Sequence, residues 1–245
     1  MSKTMRAFYS DPVIKFQIMA GLAAHRAADE IVQGVYWENG KGCAVGCTLE
    51  AIRQMKGYED IDHWSHEVAE NETGIPQVLW YLDDCIFEEL PNAAAKDWPE
   101  QFIDAIRPGA DLSMIWPRFA LWLLVEELPQ STGFQASLTE VEALYREWCE
   151  SGKNPDPERW GEVEDKSRDD ALTIYANYLF CQASYAYSFA EVSASNATSY
   201  VADACKVAVE TLFGDDVDAA RAAYAARHVA VGRQAAKLLE LLRDA

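Results

Sequence analysis

The chain has 245 residues, of which half are hydrophobic and a quarter are charged, and its formal net charge at pH 7 is −19. Its 8 Trp, 11 Tyr and 9 Phe exclude the aromatic-poor composition of disordered proteins, and they are enough for one large domain or two small ones. The negative charge disfavours direct binding to nucleic acid or to an anionic membrane, and it favours basic partners or cations.

Two absences in the sequence bear on the compartment. No segment reaches the roughly 18 apolar residues that a membrane-spanning helix needs, and no apolar run precedes position 11 as it would in a secretory signal. We therefore expect a cytoplasmic protein whose cysteines are reduced thiols. Four of the cysteines fall in helical patterns and are typical of small buried hydrophobes: Cys85, Cys149, Cys181 and Cys205.

The first predicted helix spans residues 12–33, since an Asp-Pro pair at 11–12 is a start signal and Gly34 is a stop signal. One apolar stripe contains small side chains that would permit close helix packing: Val13, Phe16, Ala20, Ala23, Ala27 and Ile31. A second stripe contains His25 and Asp29 at i, i+4 spacing. The carboxylate could fix the tautomer of the imidazole, whose other nitrogen would face the following loop; the alternative is an internally satisfied histidine.

The loop over residues 34–47 contains four glycines and two cysteines, and the prediction of a ligand site rests on it. Cys47 or Thr48 is predicted to cap the next helix, where unsatisfied N–H groups would lower the pKa of the Cys47 thiol and bind an oxyanion or phosphate. No cofactor is specified by this pattern. The residues predicted to contact a small molecule or anion are Tyr36, Glu38, Lys41, Gly42, Cys43, Gly46 and Thr48.

The next stretch offers donors for a divalent ion: His63, His66, Glu67 and Glu70. A joint site with Cys43 and Cys47 is conceivable, although their spacing differs from that of C-x-x-C metal sites. Such a stretch is more typical of an exposed acidic turn, so the sequence assigns no metal ligand. The carboxylate pairs of the following helix are likewise typical of a solvated polar face: Asp83, Asp84, Glu88 and Glu89.

Helix signals continue to the C-terminus, and we find no strand alternation or hairpin signal, so no β-structure is predicted. A capping box at 137–140 starts a helix that Gly152 ends, and the Pro-rich residues 153–164 are the predicted linker. The chain is therefore predicted to be all-α, a multi-helix globular bundle. Its N-terminal helical domain would span 1–152 and its C-terminal three-helix unit 165–245, and the two could pack as one domain.

Motifs along most of the chain carry a family resemblance. They are His25 with Asp29, Tyr36 before the Gly-Cys-Ala-Val-Gly-Cys run at 42–47 with Thr48, Gly74-Ile75-Pro76, Asp84 with Ile86-Phe87-Glu88, Trp98-Pro99 and the Ala-rich tail that closes at 237–242. In these motifs the chain resembles a family of uncharacterised proteins carried by bacteriophages and prophages. It departs from that family at Glu89, where a glycine often follows, and in a less repetitive tail. The resemblance implies a phage-related setting in the host cytoplasm but no activity.

Two functions from different classes are compatible with these features. In the first, the 34–47 loop forms a small-molecule or anion site that could be enzymatic. Its catalytic residues would be Cys47 as nucleophile, His25 as base and Asp29 as the group that orients the imidazole. In the second, the protein is not an enzyme, and its acidic segment 50–104 blocks a basic nucleic-acid-binding or defence protein of the host. The sequence does not determine the oligomeric state.

Overall fold

The structure, a computed structural model, describes residues 6–59, 64–127, 135–170 and 217–245. Within these ranges it contains nine α-helices and one two-stranded sheet, which confirms the all-α prediction. None of the helices in the described ranges has both the length and the apolar character needed to cross a membrane.

The chain forms two compact units, Met1–Ser113 with Ala235–Ala245, and Met114–Gln234. The first contains the elements that position the candidate site: α1 (Pro12–Ala27), β1 (Trp37–Glu38), β2 (Lys41–Gly42), α2 (Ala44–Lys56), α3 (His66–Thr73), α4 (Gln77–Glu89) and α5 (Asn92–Ala105). The remaining helices are α6 (Ile115–Trp122), which continues into a π-helical turn (Leu123–Glu127), α7 (Gln135–Ser151), α8 (Pro157–Asp170) and α9 (Val217–Asp244).

Helix α1 ends at Ala27, not at residue 33 as predicted. The chain leaves the helix because Asp29 has a left-handed backbone conformation, with φ of 57°. This turn lets the Glu30 N–H donate to the His25 carbonyl at 3.0 Å, which satisfies a carbonyl at the helix end. Asp29 therefore lies outside the helix, and the prediction that His25 and Asp29 share one helical face is wrong.

Helix α1 buries one of its two predicted apolar stripes and exposes the other. The buried stripe consists of Ile18, Leu22 and His25. On the other stripe, Val13 is 55% exposed and Phe16 is 73% exposed. The close approach to α2 is made instead at Gly21, where an added Cβ would lie 2.4 Å from the Cβ of Ala51. The alanines of the predicted stripe are exposed and do not mediate this packing. Gly21 does so, because a glycine lets two helices approach more closely than any side chain would.

Aromatic rings from α4 and α5 fill much of the core of the first unit. The ring of Phe102 lies 5.4 Å from that of Trp80 and 6.2 Å from that of Trp98. All three side chains are buried, and rings of this size contribute much of the apolar area that stabilises a core. The indole N–H of Trp98 also donates to the Asp83 carbonyl at 3.1 Å, which ties α5 to α4 beside the candidate site.

A short hairpin that was not predicted lies between α1 and α2. Its paired residues are Trp37 with Gly42 and Glu38 with Lys41. The two-residue turn has φ of 52° at Asn39 and 79° at Gly40, the positive angles that a type I′ turn requires. The prediction that the chain has no hairpin was wrong. Asn-Gly is itself a hairpin signal, and strands of two residues are too short to show alternation.

In the second unit, α7 and α8 pack through aromatic rings. The ring centroids of Tyr145 and Trp160 are 5.0 Å apart, and both residues are buried. Helix α8 begins at Pro157, and the Asp156 carboxylate accepts a backbone N–H of its first turn. Residues 157–164 of the predicted linker 153–164 are therefore helical, because Asp156 is an N-cap and Pro157 occupies the first helical position.

The predicted division into a domain over 1–152 and a unit over 165–245 stays a prediction. Residues 171–216, which would supply two of the three helices of the C-terminal unit, lie outside the described residues. Cys181 and Cys205 fall in the same range and so lie outside the described residues, and their burial stays a prediction.

Candidate metal centre

Hydrogen bonds to Gly42 hold the loop that precedes α2. The Gly42 N–H donates to the Glu30 carbonyl at 3.0 Å, and the Gly42 carbonyl accepts the Val32 N–H at 2.9 Å. In the first turn of α2, an added Cβ at Gly46 would lie 1.6 Å from the carbonyl oxygen of Tyr36. The glycines therefore permit close packing of the loop on the helix, which holds Tyr36 against the first turn of α2.

The N-cap of α2 is Cys43, not Cys47 or Thr48 as predicted. The Cys43 Sγ accepts a hydrogen bond from the Gly46 N–H at 3.5 Å. Cys47 lies one turn further along the helix, where its buried thiol donates to the Gly42 carbonyl at 3.3 Å. The Thr48 hydroxyl donates to a carbonyl of the preceding turn at 2.9 Å. Neither Cys47 nor Thr48 therefore offers a free group to a ligand.

The Cys47 thiol has the opposite of its predicted acidity. Burial raises its pKa to about 12, and the carboxylates of Glu30 and Glu50 add to this shift. The prediction of a lowered pKa is wrong, because the thiol lies beyond the unsatisfied N–H groups of the helix start and is removed from water.

His25 pairs with Glu30 and not with Asp29. The distance between His25 Nδ1 and Glu30 Oε2 is 2.6 Å, whereas Asp29 is exposed and pairs with Lys96. The His25 Nε2 atom is buried without a hydrogen-bond partner. Since neither ring nitrogen is hydrogen-bonded to the Cys47 thiol, the predicted catalytic set of Cys47, His25 and Asp29 is not brought together.

The remaining predicted ligand-binding residues separate into three groups. Glu38 and Lys41 are exposed and face each other across the hairpin. Gly42 is buried and serves the backbone contacts described above. The Tyr36 hydroxyl and the Cys43 thiol are buried, and both lie near the acids of α4 that are described below.

Native-state alkylation distinguishes the cysteines. Among the cysteines that the structure describes, Cys149 is half-buried whereas Cys43, Cys47 and Cys85 are buried. A thiol with a pKa of about 12 has on the order of one thiolate in 10⁵ molecules at pH 7. We therefore expect timed iodoacetamide labelling with peptide mass mapping to modify Cys149 before Cys47. Rapid labelling of Cys47 in the folded protein would contradict this assignment, and a urea-denatured sample provides the fully reactive control.

Cys43, Asp84 and Glu88, here called the Cys43 cluster, bring three potential metal-ligand atoms together. The Cys43 Sγ, one carboxylate oxygen of Asp84 and one of Glu88 all lie within 4.8 Å of one another. Cys43 comes from the start of α2, and the two acids share one face of α4 because they are four residues apart. Cys43 is buried, Asp84 is half-buried and Glu88 is exposed, so the cluster extends from the interior to the surface.

His66, the first residue of α3, adds an imidazole beside the Cys43 cluster. Its Nε2 atom lies 3.5 Å from Asp84 Oδ2 and is buried without a hydrogen-bond partner. The ring stacks on Tyr81 with a centroid distance of 4.0 Å, and the ring of Tyr36 meets it edge-on at 5.9 Å. These contacts hold the imidazole next to the carboxylate of Asp84.

The electrostatics of the Cys43 cluster are those of a partly buried acidic site. Burial raises the pKa of the Cys43 thiol well above its usual range, and the Asp84 carboxylate adds to this effect. Burial also raises the pKa of Glu88, whose two oxygens accept the Gly34 N–H at 3.0 and 2.8 Å. The groups of the cluster therefore disfavour negative charge on one another, as expected of an acidic site without a cation.

Asp83 lies beside the Cys43 cluster and is not on a solvated face. It is 1% exposed, and its Oδ1 atom has no hydrogen-bond partner. Burial raises its pKa well above the usual range, and the neighbouring Asp84 adds to the shift. The prediction that Asp83 and Asp84 lie on an exposed polar face is wrong, because α4 packs against α2, α3 and α5 and buries this part of its surface.

Sequence reasoning nominated Cys43 and His66 as donors and placed Asp84 and Glu88 on a solvated face, where Glu88 is exposed as predicted and Asp84 is half-buried. The spacing of the two acids was the available signal, since residues four apart lie on one face of a helix. Of the other predicted donors, His63 lies outside the described residues. Glu67 and Glu70 are described and do not belong to the Cys43 cluster.

Comparison with known proteins adds no homologue to this description. No protein-family model matches the chain, and no curated protein or solved structure shows significant similarity to it. The resemblance to phage and prophage proteins stays a prediction, and the functional proposal rests on the geometry of the site.

Proposed function

We propose that this protein binds a divalent transition-metal ion through the Cys43 cluster. One observation carries the proposal: the Sγ atom of Cys43 and carboxylate oxygens of Asp84 and Glu88 lie within 4.8 Å of one another. Atoms at such separations can reach a common ion at the usual ligand distances of about 2.0–2.3 Å after small side-chain movements.

A cation would balance negative charge that the protein leaves uncompensated. Among the described residues, the side chain of Asp84 has Cys43 and His66 as partners, and Glu88 accepts the Gly34 N–H. Within the described parts of the chain, neither carboxylate is paired with a Lys or Arg. Neighbouring carboxylates, one of them half-buried, repel each other without a cation, so a bound metal ion would stabilise this arrangement.

The donor types favour zinc-like ions. A thiolate ligand selects Zn²⁺ or Co²⁺ over Mg²⁺ and Ca²⁺, which prefer oxygen donors alone. Three protein ligands are typical of zinc sites that keep a further position for water or another ligand. In this arrangement His66 is a positioning residue, because its Nε2 lies 3.5 Å from Asp84 Oδ2 and can orient that carboxylate.

Titration of the metal-free protein with Co²⁺ tests the site directly. Binding at the Cys43 cluster should produce visible absorption bands and a thiolate-to-cobalt charge-transfer band. The substitution Cys43→Ser should remove the charge-transfer band and weaken Zn²⁺ binding on the order of 100-fold or more, because even indirect partners of a metal are worth 10–100-fold. Serine is also a good N-cap, so this variant should still fold.

Two matched controls keep the metal experiment specific. Cys149→Ser removes a half-buried thiol outside the Cys43 cluster and should leave the charge-transfer band unchanged. Asp84→Asn should weaken Zn²⁺ binding, whereas Asp104→Asn should not, because the Asp104 side chain is 73% exposed and pairs with Lys15. Equal Zn²⁺ affinity of Cys43→Ser and the parent protein would contradict the proposal.

The proposed cation replaces the anion that the glycine-rich loop was predicted to bind, because the carboxylates of Asp84 and Glu88 beside the Cys43 thiol would repel an anion. A phage-related setting stays a prediction. The alternative function, an acidic interaction protein acting through residues 50–104, also stays a prediction. The burial of Asp83 removes one carboxylate from the surface on which that alternative depends.

A further inference from the structure

We propose that the metal centre keeps one coordination position for a neutral oxygen ligand, to which the hydroxyl of Tyr36 donates a hydrogen bond. This inference rests on the metal site proposed above. The hydroxyl oxygen of Tyr36 is buried and has no hydrogen-bond partner. Because buried polar groups are nearly always hydrogen-bonded, an unpartnered hydroxyl beside a metal site indicates a group that binds there.

The backbone holds Tyr36 beside the Cys43 cluster. The Cys43 N–H donates to the Tyr36 carbonyl at 3.3 Å, and Gly46 packs against the same carbonyl. A phenol is protonated at neutral pH and can donate a hydrogen bond, and the ring of Tyr36 meets that of His66 edge-on beside Asp84. Tyr36 is therefore a hydrogen-bond donor close to Cys43 and Asp84.

The charge of the centre determines which ligands suit the open position. Metal binding deprotonates a cysteine, so Cys43, Asp84 and Glu88 would all be anionic in the metal complex. Three anionic donors outnumber the two positive charges of a divalent ion, and a further anion would be repelled. A neutral oxygen acceptor such as an amide carbonyl, an alcohol or water fits both the charge and the Tyr36 donor.

Acetamide and acetate are matched probes for this ligand class, since they have similar size and differ in charge. Acetamide should change the visible spectrum of the Co²⁺-loaded protein at concentrations at which acetate has no effect. Tyr36→Phe should weaken the acetamide response about fivefold, the value of one net hydrogen bond. Tyr58→Phe, which alters an exposed tyrosine, should leave the acetamide response unchanged.

Several results would overturn the inference. Stronger binding of acetate than of acetamide would show that the centre accepts anions. An acetamide response that Tyr36→Phe leaves unchanged would show that the hydroxyl does not bind the ligand, and a Co²⁺ complex that does not respond to acetamide would show that no position is open. In each of these cases Co²⁺ still binds the parent protein, so the metal site survives. Failure of the parent protein to bind Co²⁺ would overturn the metal site and this inference together.

Discussion

Gly46→Ala is expected to destabilise the protein by roughly 3 kcal/mol or more, because its added Cβ would overlap a backbone atom. The ideal Cβ position lies 1.6 Å from the carbonyl oxygen of Tyr36 and 2.8 Å from its carbonyl carbon. Alanine normally stabilises a helix relative to glycine by about 0.5–1 kcal/mol, so the steric overlap must exceed this gain and reverse the sign. The loop cannot withdraw freely, since Tyr36 also accepts the Cys43 N–H.

Thermal unfolding followed by circular dichroism measures this effect. For a chain of this size, a loss of about 3 kcal/mol corresponds to a decrease in Tm of roughly 6–12 °C. Gly161→Ala is the matched control, because Gly161 lies inside α8 and an added Cβ there would meet no atom within 4 Å. The control should be neutral or slightly stabilising. If the two variants unfold at the same temperature, Gly46 does not serve close packing.

Arg53→Met should destabilise the protein by about 2–3 kcal/mol, because it leaves the Glu50 carboxylate without its charged partner. The Glu50 side chain is 7% exposed. Arg53 donates to both of its oxygens, from Nε at 2.6 Å and from Nη2 at 2.7 Å. Methionine retains much of the apolar stem of arginine, so the loss of folding stability measures the contribution of the arginine charge and its hydrogen bonds.

The effect of Arg53→Met depends on pH with a definite sign. The hydrogen bonds from Arg53 lower the pKa of Glu50 from its ordinary value of 4.5, and burial opposes this shift. A lowered pKa in the folded state gives stability that is present above about pH 4.5 and is lost as the pH falls through the folded-state value. The difference in stability between the parent protein and Arg53→Met should therefore be largest near neutral pH and shrink in acid.

An exposed ion pair of the same residue types provides the control for Arg53→Met. Arg146 and Glu142 pair on α7 with side chains that are 50% and 32% exposed. Arg146→Met should cost no more than about 0.5 kcal/mol, because solvent screens exposed pairs. Urea unfolding at several pH values compares the two variants. Equal losses in both, or a loss for Arg53→Met that does not change with pH, would contradict the role assigned to the Glu50 pair.

The sequence was sufficient for features that depend on a few neighbouring residues. The Asp-Pro pair predicted the start of α1, and Gly152 predicted the end of α7, where its φ is 68°. Caps and left-handed glycines act within one helical turn, so they can be recognised without knowledge of the fold. The Asn39-Gly40 hairpin belongs to the same class, and its signal was present in the sequence although it was not used.

The candidate site is formed by tertiary structure, and no local sequence pattern predicts it. Cys43 and Asp84 are far apart in sequence, and α2 and α4 must pack together before the thiol meets the carboxylate. Asp83 and Asp84 are adjacent acids on one helix, yet only the packing of α4 decides that Asp83 is buried and Asp84 half-buried. Periodicity identifies the faces of a helix, but it does not specify which neighbour covers each face.

The glycine-cysteine loop shows both levels of information. The sequence by itself indicated that residues 34–47 have an unusual backbone, because four glycines there relax its steric limits, and the structure places 44–47 in the first turn of α2. The fold decided what the connection does. It makes Cys43 the N-cap beside two carboxylates and buries Cys47 one turn further along α2, which raises the pKa of the Cys47 thiol instead of lowering it. The physical reason is that burial and neighbouring charges, which determine the chemistry of a thiol, arise from residues brought close only by folding.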